Sequence, residues 1–308
     1  MPDLSGFPQL ARGSVITVGT FDGVHVGHRD ILRHLQERAS ATGLPAVLVT
    51  FRPHPLAVVN PSAAPMLLTP DDEQLEALAD SGPLLVAVLP FTPALARFSA
   101  AAFVEHVLLD RYNMRELIIG YDHGLGRGRE GDAATLTELG RRRGFRCHVV
   151  AAAMDASGAP VSSSAIRTSI AHGDLDPAKR LLGRPYGLHG TVIPGQQRGR
   201  ALGYPTMNIE VPSSRKLLPP EGVYAVRVHM ARGTFGGMMN LGARPTFAEF
   251  DRTIEVHVFD ASEDWYGEAV TVHLIRRLRD TTRFDSVDAL VAQLAKDASE
   301  ARVALTQA

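Results

Sequence analysis

Two short stretches of this 308-residue chain carry residue types suited to phosphate chemistry. The first is GTFDGVHVGH, residues 19–28. Gly19 and Gly23 permit a tight turn and let a ligand approach the backbone. His25 and His28 are three apart, so at a helix start both can face one ligand. Imidazoles there can donate hydrogen bonds to phosphate oxygens and to the charge that develops on a leaving pyrophosphate. A helix beginning just beyond them leaves free N–H groups, which attract anions. The same stretch also reads as a glycine-containing strand-to-helix turn with two surface histidines. A metal pair is a third reading, but zinc needs a further ligand that the spacing does not offer. The second stretch is VSSSAIR, residues 161–167. Its hydroxyls and Arg167 suit a triphosphate, and they equally suit an ordinary capped helix start. The two stretches together argue for a nucleotide more strongly than either does alone.

The elements that must position these residues change character along the chain. From 14 to about 155, short apolar runs at 14–19, 46–51, 84–89, 116–120 and 145–151 alternate with helical patterns at 29–41, 71–80, 100–112 and 133–143. Near-continuous apolar strands alternating with helices predict an α/β fold, a Rossmann-like parallel sheet covered on both faces. Ligands in such sheets sit outside the carboxyl ends of the strands. From about 186 the segments 187–193, 222–230, 238–241, 254–259 and 269–275 are broken by Gly and Pro, which predicts a small antiparallel β-barrel. A C-terminal helix over 286–305 follows, with Val287, Leu290, Val291, Leu294 and Ala298 on one face and Asp285 or Ser286 as cap. The division is expected at 1–182 and 183–308, with a short helix at 176–182 near the join.

Composition narrows the classes. Hydrophobic residues are 45% and charged residues 21%, which is globular rather than disordered. Lys plus Arg is 32 against 33 Asp plus Glu, a net charge of -1, so a broadly basic nucleic-acid binder is excluded. One cysteine, Cys147, leaves no disulfide framework and no cysteine-based zinc site; its apolar surroundings predict a core strand position. No run approaches the length of a membrane helix and the start of the chain has no leader-like pattern, so the expectation is cytoplasmic, with no membrane or nucleic-acid partner. The runs Arg141 to Arg143 and Arg276 to Arg277 are read as solvated faces, and Trp265 with Tyr266 as either a pocket wall or strand packing.

The ordered motifs resemble a known family. HVGH at 25–28 with SSAIR at 163–167 is similar to the nucleotidyltransferase superfamily. Within it, GTFDGVH at 19–25 and TFRPHP at 50–55 resemble the bacterial FAD synthetases. In the second half LGRPY at 182–186, GTV at 190–192, GRALGYPTMN at 199–208, GVYA at 222–225, NLGARPTF at 240–247, EVH at 255–257 and WYG at 265–267 follow the riboflavin kinase signature in order. The whole is identified as a member of the bifunctional riboflavin kinase / FMN adenylyltransferase family. That resemblance implies two reactions: ATP-dependent phosphorylation of riboflavin to FMN in the second domain, and adenylylation of FMN to FAD with release of pyrophosphate in the first. It implies that His25 and His28 are catalytic, with Gly19, Phe21, Asp22, Gly23, Ser163, Ser164 and Arg167 around ATP, and His54 and Asp122 at the flavin. In the kinase it implies Glu255 as base for the ribityl hydroxyl, and Gly199, Arg200, Gly203, Thr206 and Asn208 around ATP. Thr206 and Asn208 would also hold Mg²⁺, and Arg279 would lie at the flavin. Partners are then small molecules, and the chain is expected to be a monomer or weak homo-oligomer.

Three segments depart from the family pattern. GYDHGLG at 120–126 has His123 and Leu125 where GxDFxFG has aromatics, so altered stacking on the isoalloxazine is expected. PTMN carries Met207 in place of a small residue, and Thr281 stands where a glutamate is usual. Read without the resemblance, Glu255 is a solvent-face carboxylate and 199–208 a surface loop leading into a strand. The competing class is a flavin or nucleotide binder that has lost turnover.

Overall fold

The computed structural model describes residues 9–70, 72–82, 84–195, 199, 202–243, 252–261 and 265–307. The chain groups into two compact units, 1–163 and 164–308, so the helices before the barrel group with it. No described helix is long and apolar enough to cross a membrane.

The first unit is built on a five-stranded sheet of β1 (Ser14–Val18), β2 (Ala46–Arg52), β3 (Leu85–Pro90), β4 (Met114–Gly120) and β5 (Arg146–Val150). Its order is β3-β2-β1-β4-β5, and every pairing is parallel. All five residues of β1 are buried, as a central strand covered on both faces requires. Alternate residues feed two cores. Ile16, Val18, Val49 and Leu117 pack with Phe103, Leu108 and Leu136 on one face. Val15, Leu48 and Ile118 pack with Leu32, Leu35 and Ala39 of α1 (Val26–Thr42) on the other. Gly43 ends α1 with φ +65, where its N–H reaches the carbonyls of Ala39 and Ser40.

α2 (Pro55–Val59) and α3 (Asp72–Ala79) lie between β2 and β3 in sequence. The helix expected at 100–112 is instead a single α turn, α4 (Ala100–Phe103), that widens into a π-helical stretch over Val104–Leu109. α5 (Ala133–Arg143) precedes β5, capped by Asp132. Cys147 lies on edge strand β5 and is half-buried at the margin of the core, where burial raises its thiol pKa; it is less enclosed than a core strand position implies.

One ionic cluster fastens this unit. Glu116 is 3% exposed and accepts two bonds of 2.8 Å from Arg38 of α1, and His148 Nε2 lies 3.0 Å away. Arg38 holds the Glu116 carboxyl below its ordinary range. The cluster lies near the start of β4, away from the strand ends where ligands bind.

In the second unit α6 (Ser163–His172) and α7 (Leu175–Leu182) precede a closed barrel, with Ser163 itself counted in the first unit. Its strands are β6 (Tyr186–Ile193), β7 (Met207–Glu210), β8 (Gly222–Met230), β9 (Gly233–Ala243), β10 (Arg252–Val258) and β11 (Ala269–Arg279), in the order β10-β7-β6-β11-β8-β9. Every described pair is antiparallel. Val192, Ile209, Ile254 and Leu241 are mutual partners facing inward, so their neighbours in sequence face out.

α8 (Val287–Thr306) closes the chain and packs on β8, β9 and β11. Ser286 caps it by accepting the Ala289 N–H. The expected face is engaged only in its later turns: Val287 is 61% exposed, whereas Leu294 and Ala298, with the buried Ala301 and Ala304, pack with Ala225, Met238 and Phe259.

Candidate functional site

In the first unit the predicted residues gather at the carboxyl ends of the strands. β1 leads into the glycine turn and α1, β2 into His54 and α2, and β4 into Asp122. The turn after β1 is tightly made. Phe21 and Val24 are buried with φ of +48 and +40, and Gly23 has φ +89. Two left-handed non-glycine residues within four positions are strained, and such strain concentrates at functional sites. A Cβ on Gly19 would stand 3.0 Å from the Phe21 ring, so glycine is what lets that ring fold back.

Asp22 anchors this turn. Its carboxylate accepts the N–H groups of Leu68 and Thr69, each at 2.9 Å to Oδ1, with a second bond of 3.1 Å from Leu68 to Oδ2. Gly23 N–H donates to Thr69 Oγ1 at 2.7 Å, Gln74 of α3 donates to the Thr20 carbonyl, and Ser163 Oγ donates to the Asp22 carbonyl at 2.9 Å. Asp22 is 4% exposed, and its carboxylate faces the 68–69 segment. The geometry makes it a support of the turn, whereas the sequence reading placed it around ATP.

His25 is the N-cap of α1, which starts at Val26 rather than 29. Its Nδ1 accepts the His28 N–H at 3.3 Å. An accepting Nδ1 puts the ring proton of neutral His25 on Nε2. The two rings stack with centroids 3.6 Å apart, and Phe21 lies 4.8 Å from His28. Burial first, and then His25, holds the His28 pKa well below its ordinary value. His28 is therefore a neutral hydrogen-bonding group at physiological pH, and its buried Nδ1 has no hydrogen-bond partner among the described residues. Ser164 and Arg167 lie on α6, within the first turn and a half.

On the flavin side predicted from sequence, His54 caps α2 by accepting the Leu56 N–H at 3.2 Å. Asp122 is exposed, and its carbonyl accepts a bond of 2.8 Å from Arg129. Leu125 is 6% exposed and belongs to the sheet core, bridged to Gly131. The expectation that Leu125 alters flavin stacking is thereby corrected: a core position takes an aliphatic side chain. His123, the other position of that pair, is half-buried.

In the second unit the register brings together residues that the resemblance assigned to a kinase site. Glu255 of β10 stands directly opposite Asn208 of β7 and Asn240 of β9. Opposed residues of antiparallel strands have Cβ atoms roughly 5 Å apart and share a face. Thr206 is two residues before Asn208, just ahead of β7, and strand alternation would put it on the same outward face. Asn208 lies across Gly195, where a Cβ would stand 1.8 Å from its amide nitrogen. The Gly199 carbonyl accepts N–H groups from Leu202 at 3.0 Å and Tyr204 at 2.9 Å, which closes the turn before Gly203, at φ +80. Arg200 lies outside the described residues. Asn240 was not singled out from sequence; only strand register reveals it as a neighbour of Glu255.

Arg279, expected at the flavin, is tied to the C-terminal helix. Its Nε and Nη2 grip Asp297 of α8 at 2.9 and 2.7 Å, Asp297 is 1% exposed, and Nη1 donates to the Asp280 carbonyl. The guanidinium ties α8 to the barrel. Trp265 is buried beside Phe235, which favours packing, while Tyr266 is 43% exposed. No group of three His, Cys, Asp or Glu among the described residues could hold a metal ion.

A sequence model described as FAD synthetase matches residues 7–165, and one described as riboflavin kinase matches 182–305. The chain is 38% identical over 301 residues to the bifunctional riboflavin kinase/FMN adenylyltransferase of Escherichia coli K12, covering 97% of this chain and 95% of that one. It is 33% identical over 293 residues to the protein of the same description from Bacillus subtilis, with 94% and 91% covered. Among solved structures it resembles a Streptococcus pneumoniae chain described as a macrolide-efflux protein, with TM-score 0.87, 31% identity and 96% of each chain covered. No described helix of this chain could span a membrane. The chain belongs to the bifunctional riboflavin kinase/FMN adenylyltransferase family.

Proposed function

We propose that the barrel unit phosphorylates riboflavin to FMN and that the sheet unit joins AMP from ATP to FMN, giving FAD and pyrophosphate. The observation that carries the transferase half is the stacked His25–His28 pair at the carboxyl end of β1, on the first turn of α1. In that reaction an FMN phosphate oxygen bonds to the α-phosphorus of ATP, and the bond from that phosphorus to the β-phosphate bridging oxygen breaks. The acceptor is already an anion, so no protein nucleophile is needed. Negative charge grows on the departing pyrophosphate. His25, with its proton on Nε2, and neutral His28 act there as hydrogen-bond donors alongside the N–H groups at the start of α1. Ser163, Ser164 and Arg167 of α6 are assigned to the triphosphate, Gly19, Phe21 and Gly23 to the turn that cradles it, and Asp22 to holding that turn in shape. His54 and Asp122 are assigned to the flavin side.

In the kinase reaction Glu255 accepts the proton of the ribityl hydroxyl as its oxygen bonds to the γ-phosphorus, and ADP departs. Gly199, Gly203 and Arg200 are assigned to the phosphates, and Arg279 to ordering the flavin wall through α8. The oxygen donors of Thr206 and Asn208 suit Mg²⁺, which takes one or two protein oxygens and completes its shell with phosphate and water. When bound, that ion would neutralise charge on the β- and γ-phosphates. The working boundary between the activities is 182/183. The protein is read as cytoplasmic, a monomer or weak homo-oligomer, with small molecules as its only partners.

Purified protein incubated with riboflavin, ATP and Mg²⁺ yields FMN and then FAD on this reading. Flavin binding with neither product identifies a binder that has lost turnover and rejects the assignment. Supplying FMN directly separates the two activities.

A further inference from the structure

A parallel sheet whose strand order reverses opens a crevice at the reversal, outside the carboxyl ends of the two strands concerned. In this protein the reversal falls between β1 and β4. The segment after each of those strands holds a histidine with one buried ring nitrogen that has no hydrogen-bond partner among the described residues: His28 Nδ1 after β1 and His123 Nε2 after β4. His28 is occupied by the phosphate chemistry. Tyr112 Oη, another such buried atom of this unit, sits within the sheet core. His123 is left without a use.

An imidazole nitrogen kept dry and unpaired is unfavourable, and a loose loop would turn it to solvent. This loop is not loose. His123 N–H donates to the Gly120 carbonyl at 3.2 Å, Leu125 and Gly131 exchange bonds of 3.0 and 2.8 Å, and Arg127 N–H donates to the Phe98 carbonyl at 2.8 Å. Arg129 is bonded to the Asp122 carbonyl and packs over Gly124, where a Cβ would stand 2.8 Å from its side chain. Gly126 has φ +77 and touches the Ala100 backbone. A fixed ring with an unsatisfied polar atom is what a ligand-binding group looks like before its partner arrives. Burial first, and then Arg129, lowers the His123 pKa to about 4, so the ring is uncharged. The uncharged ring offers a single donor or acceptor, which the polar edge of a heteroaromatic ring can meet. Tyr121, two residues earlier and 49% exposed, offers an aromatic face on the same loop.

We propose that His123 Nε2 hydrogen-bonds the polar edge of the FMN isoalloxazine, where N3–H lies between two carbonyls, and thereby sets the affinity of the transferase for its flavin. This rests on assigning FMN adenylylation to the sheet unit and the flavin to the Asp122 side. The test uses the full chain with FMN and ATP varied separately. His123→Phe keeps an aromatic ring of similar size and removes the polar atom; it should raise KM for FMN about tenfold while kcat and KM for ATP stay within twofold. His123→Gln, which restores an amide donor and acceptor, should recover part of that loss. The absorbance spectrum of bound FMN should differ between wild type and His123→Phe, since a hydrogen bond to the ring edge perturbs it. An unchanged KM for FMN in His123→Phe would overturn the proposal. A rise confined to KM for ATP would overturn it too, by assigning the nitrogen to the adenine. Wild-type protein that forms no FAD at all would instead reject the functional assignment on which the proposal rests. Riboflavin phosphorylation and the thermal unfolding curve, measured on the same samples, distinguish loss of the bond from loss of the fold.

Discussion

Replacing Asp22 by asparagine separates two roles that one carboxylate could have in the glycine turn. In the structure Oδ1 accepts both the Leu68 and Thr69 N–H groups at 2.9 Å, and Oδ2 accepts a second bond from Leu68 at 3.1 Å. Asparagine with its carbonyl at Oδ1 keeps the first two bonds. It turns the third into an N–H facing an N–H and removes the charge that strengthens all three. Losing one charge-assisted bond at a site 4% exposed costs about 1.5–3 kcal/mol. With a urea dependence of about 2 kcal/mol per molar, the unfolding midpoint of the sheet unit should fall by about 1 M. Asp22→Ala is harsher. It strands two buried N–H groups at about 1–3 kcal/mol each, a large part of the 5–15 kcal/mol that holds a domain folded. The assay is urea unfolding followed beside FAD formation from FMN at 25 °C. A support of the turn predicts a lowered midpoint and an asparagine variant that still makes FAD, with KM for ATP within a few-fold of wild type. FAD formation abolished with an unmoved midpoint would refute the reasoning and make Asp22 a direct phosphate or metal contact.

Four further outcomes follow from the same geometry. His28→Ala should lower FAD formation by at least 100-fold and spare FMN formation, read by chromatographic separation of the flavins; equal loss of both would show that the units do not act separately. Glu255→Ala should do the converse, abolishing FMN formation from riboflavin while FMN supplied from outside is still converted to FAD. Asp297→Ala should destabilise the barrel unit by about 3–5 kcal/mol, because it leaves the partly buried Arg279 charge unpaired, whereas Arg279→Met with Asp297→Leu should be near neutral on denaturant titration. His273 has a folded-state pKa of about 4, set by burial and then by His229, His189, Arg184 and Lys216, against an ordinary 6.5. A depressed histidine contributes stability that is whole above about pH 6.5 and is lost as pH falls toward 4. His273→Gln should therefore flatten the pH dependence of barrel unfolding within that window.

Much of the fold was legible because it rests on local pattern. β1 is apolar at every position but Ser14 and Thr17, and its full burial follows from that run. The barrel strands were readable as alternation broken by glycine and proline. The limits of α8 and the stripe it packs were readable too, but not how much of that stripe is covered. A 20-residue amphipathic pattern does not say which turns meet the barrel, and only the later ones do. The widening of α4 into π turns was equally invisible, since phenylalanine and valine at 103–104 and valine and leucine at 107–108 fit an α-helix as well. His25 and His28 were legible as a pair, but their electrostatics were not. Spacing suggests two groups facing one anion, and the burial and the neighbouring His25 that keep His28 neutral depend on the turn being folded.

The residues that sequence placed least well are those whose partners are distant along the chain. Asp22 lies within a motif that points to ATP, yet its bonds go to residues 46 and 47 positions later. Arg279 meets Asp297 across 18 positions, and Asn240 reaches Glu255 only through the β9–β10 register. A motif records that a residue type is needed, and two different needs can leave the same record. An aspartate that props a turn and one that binds a phosphate-bound cation both demand a carboxylate. What separates them is where the oxygens point. At Asp22 they point to backbone N–H groups, at Arg279 the guanidinium points to α8, and at His123 the buried ring nitrogen has no hydrogen-bond partner among the described residues. A polar group already satisfied is part of the scaffold, and its loss should be read first in stability. A rigid polar group left unsatisfied is available to a ligand, and its loss should be read first in KM. Asp22→Asn and His123→Phe, measured side by side, set these two readouts against each other in one unit of one protein. Should both variants shift the unfolding midpoint alike and leave KM alike, hydrogen-bond satisfaction would have no power to sort scaffold from site in this fold.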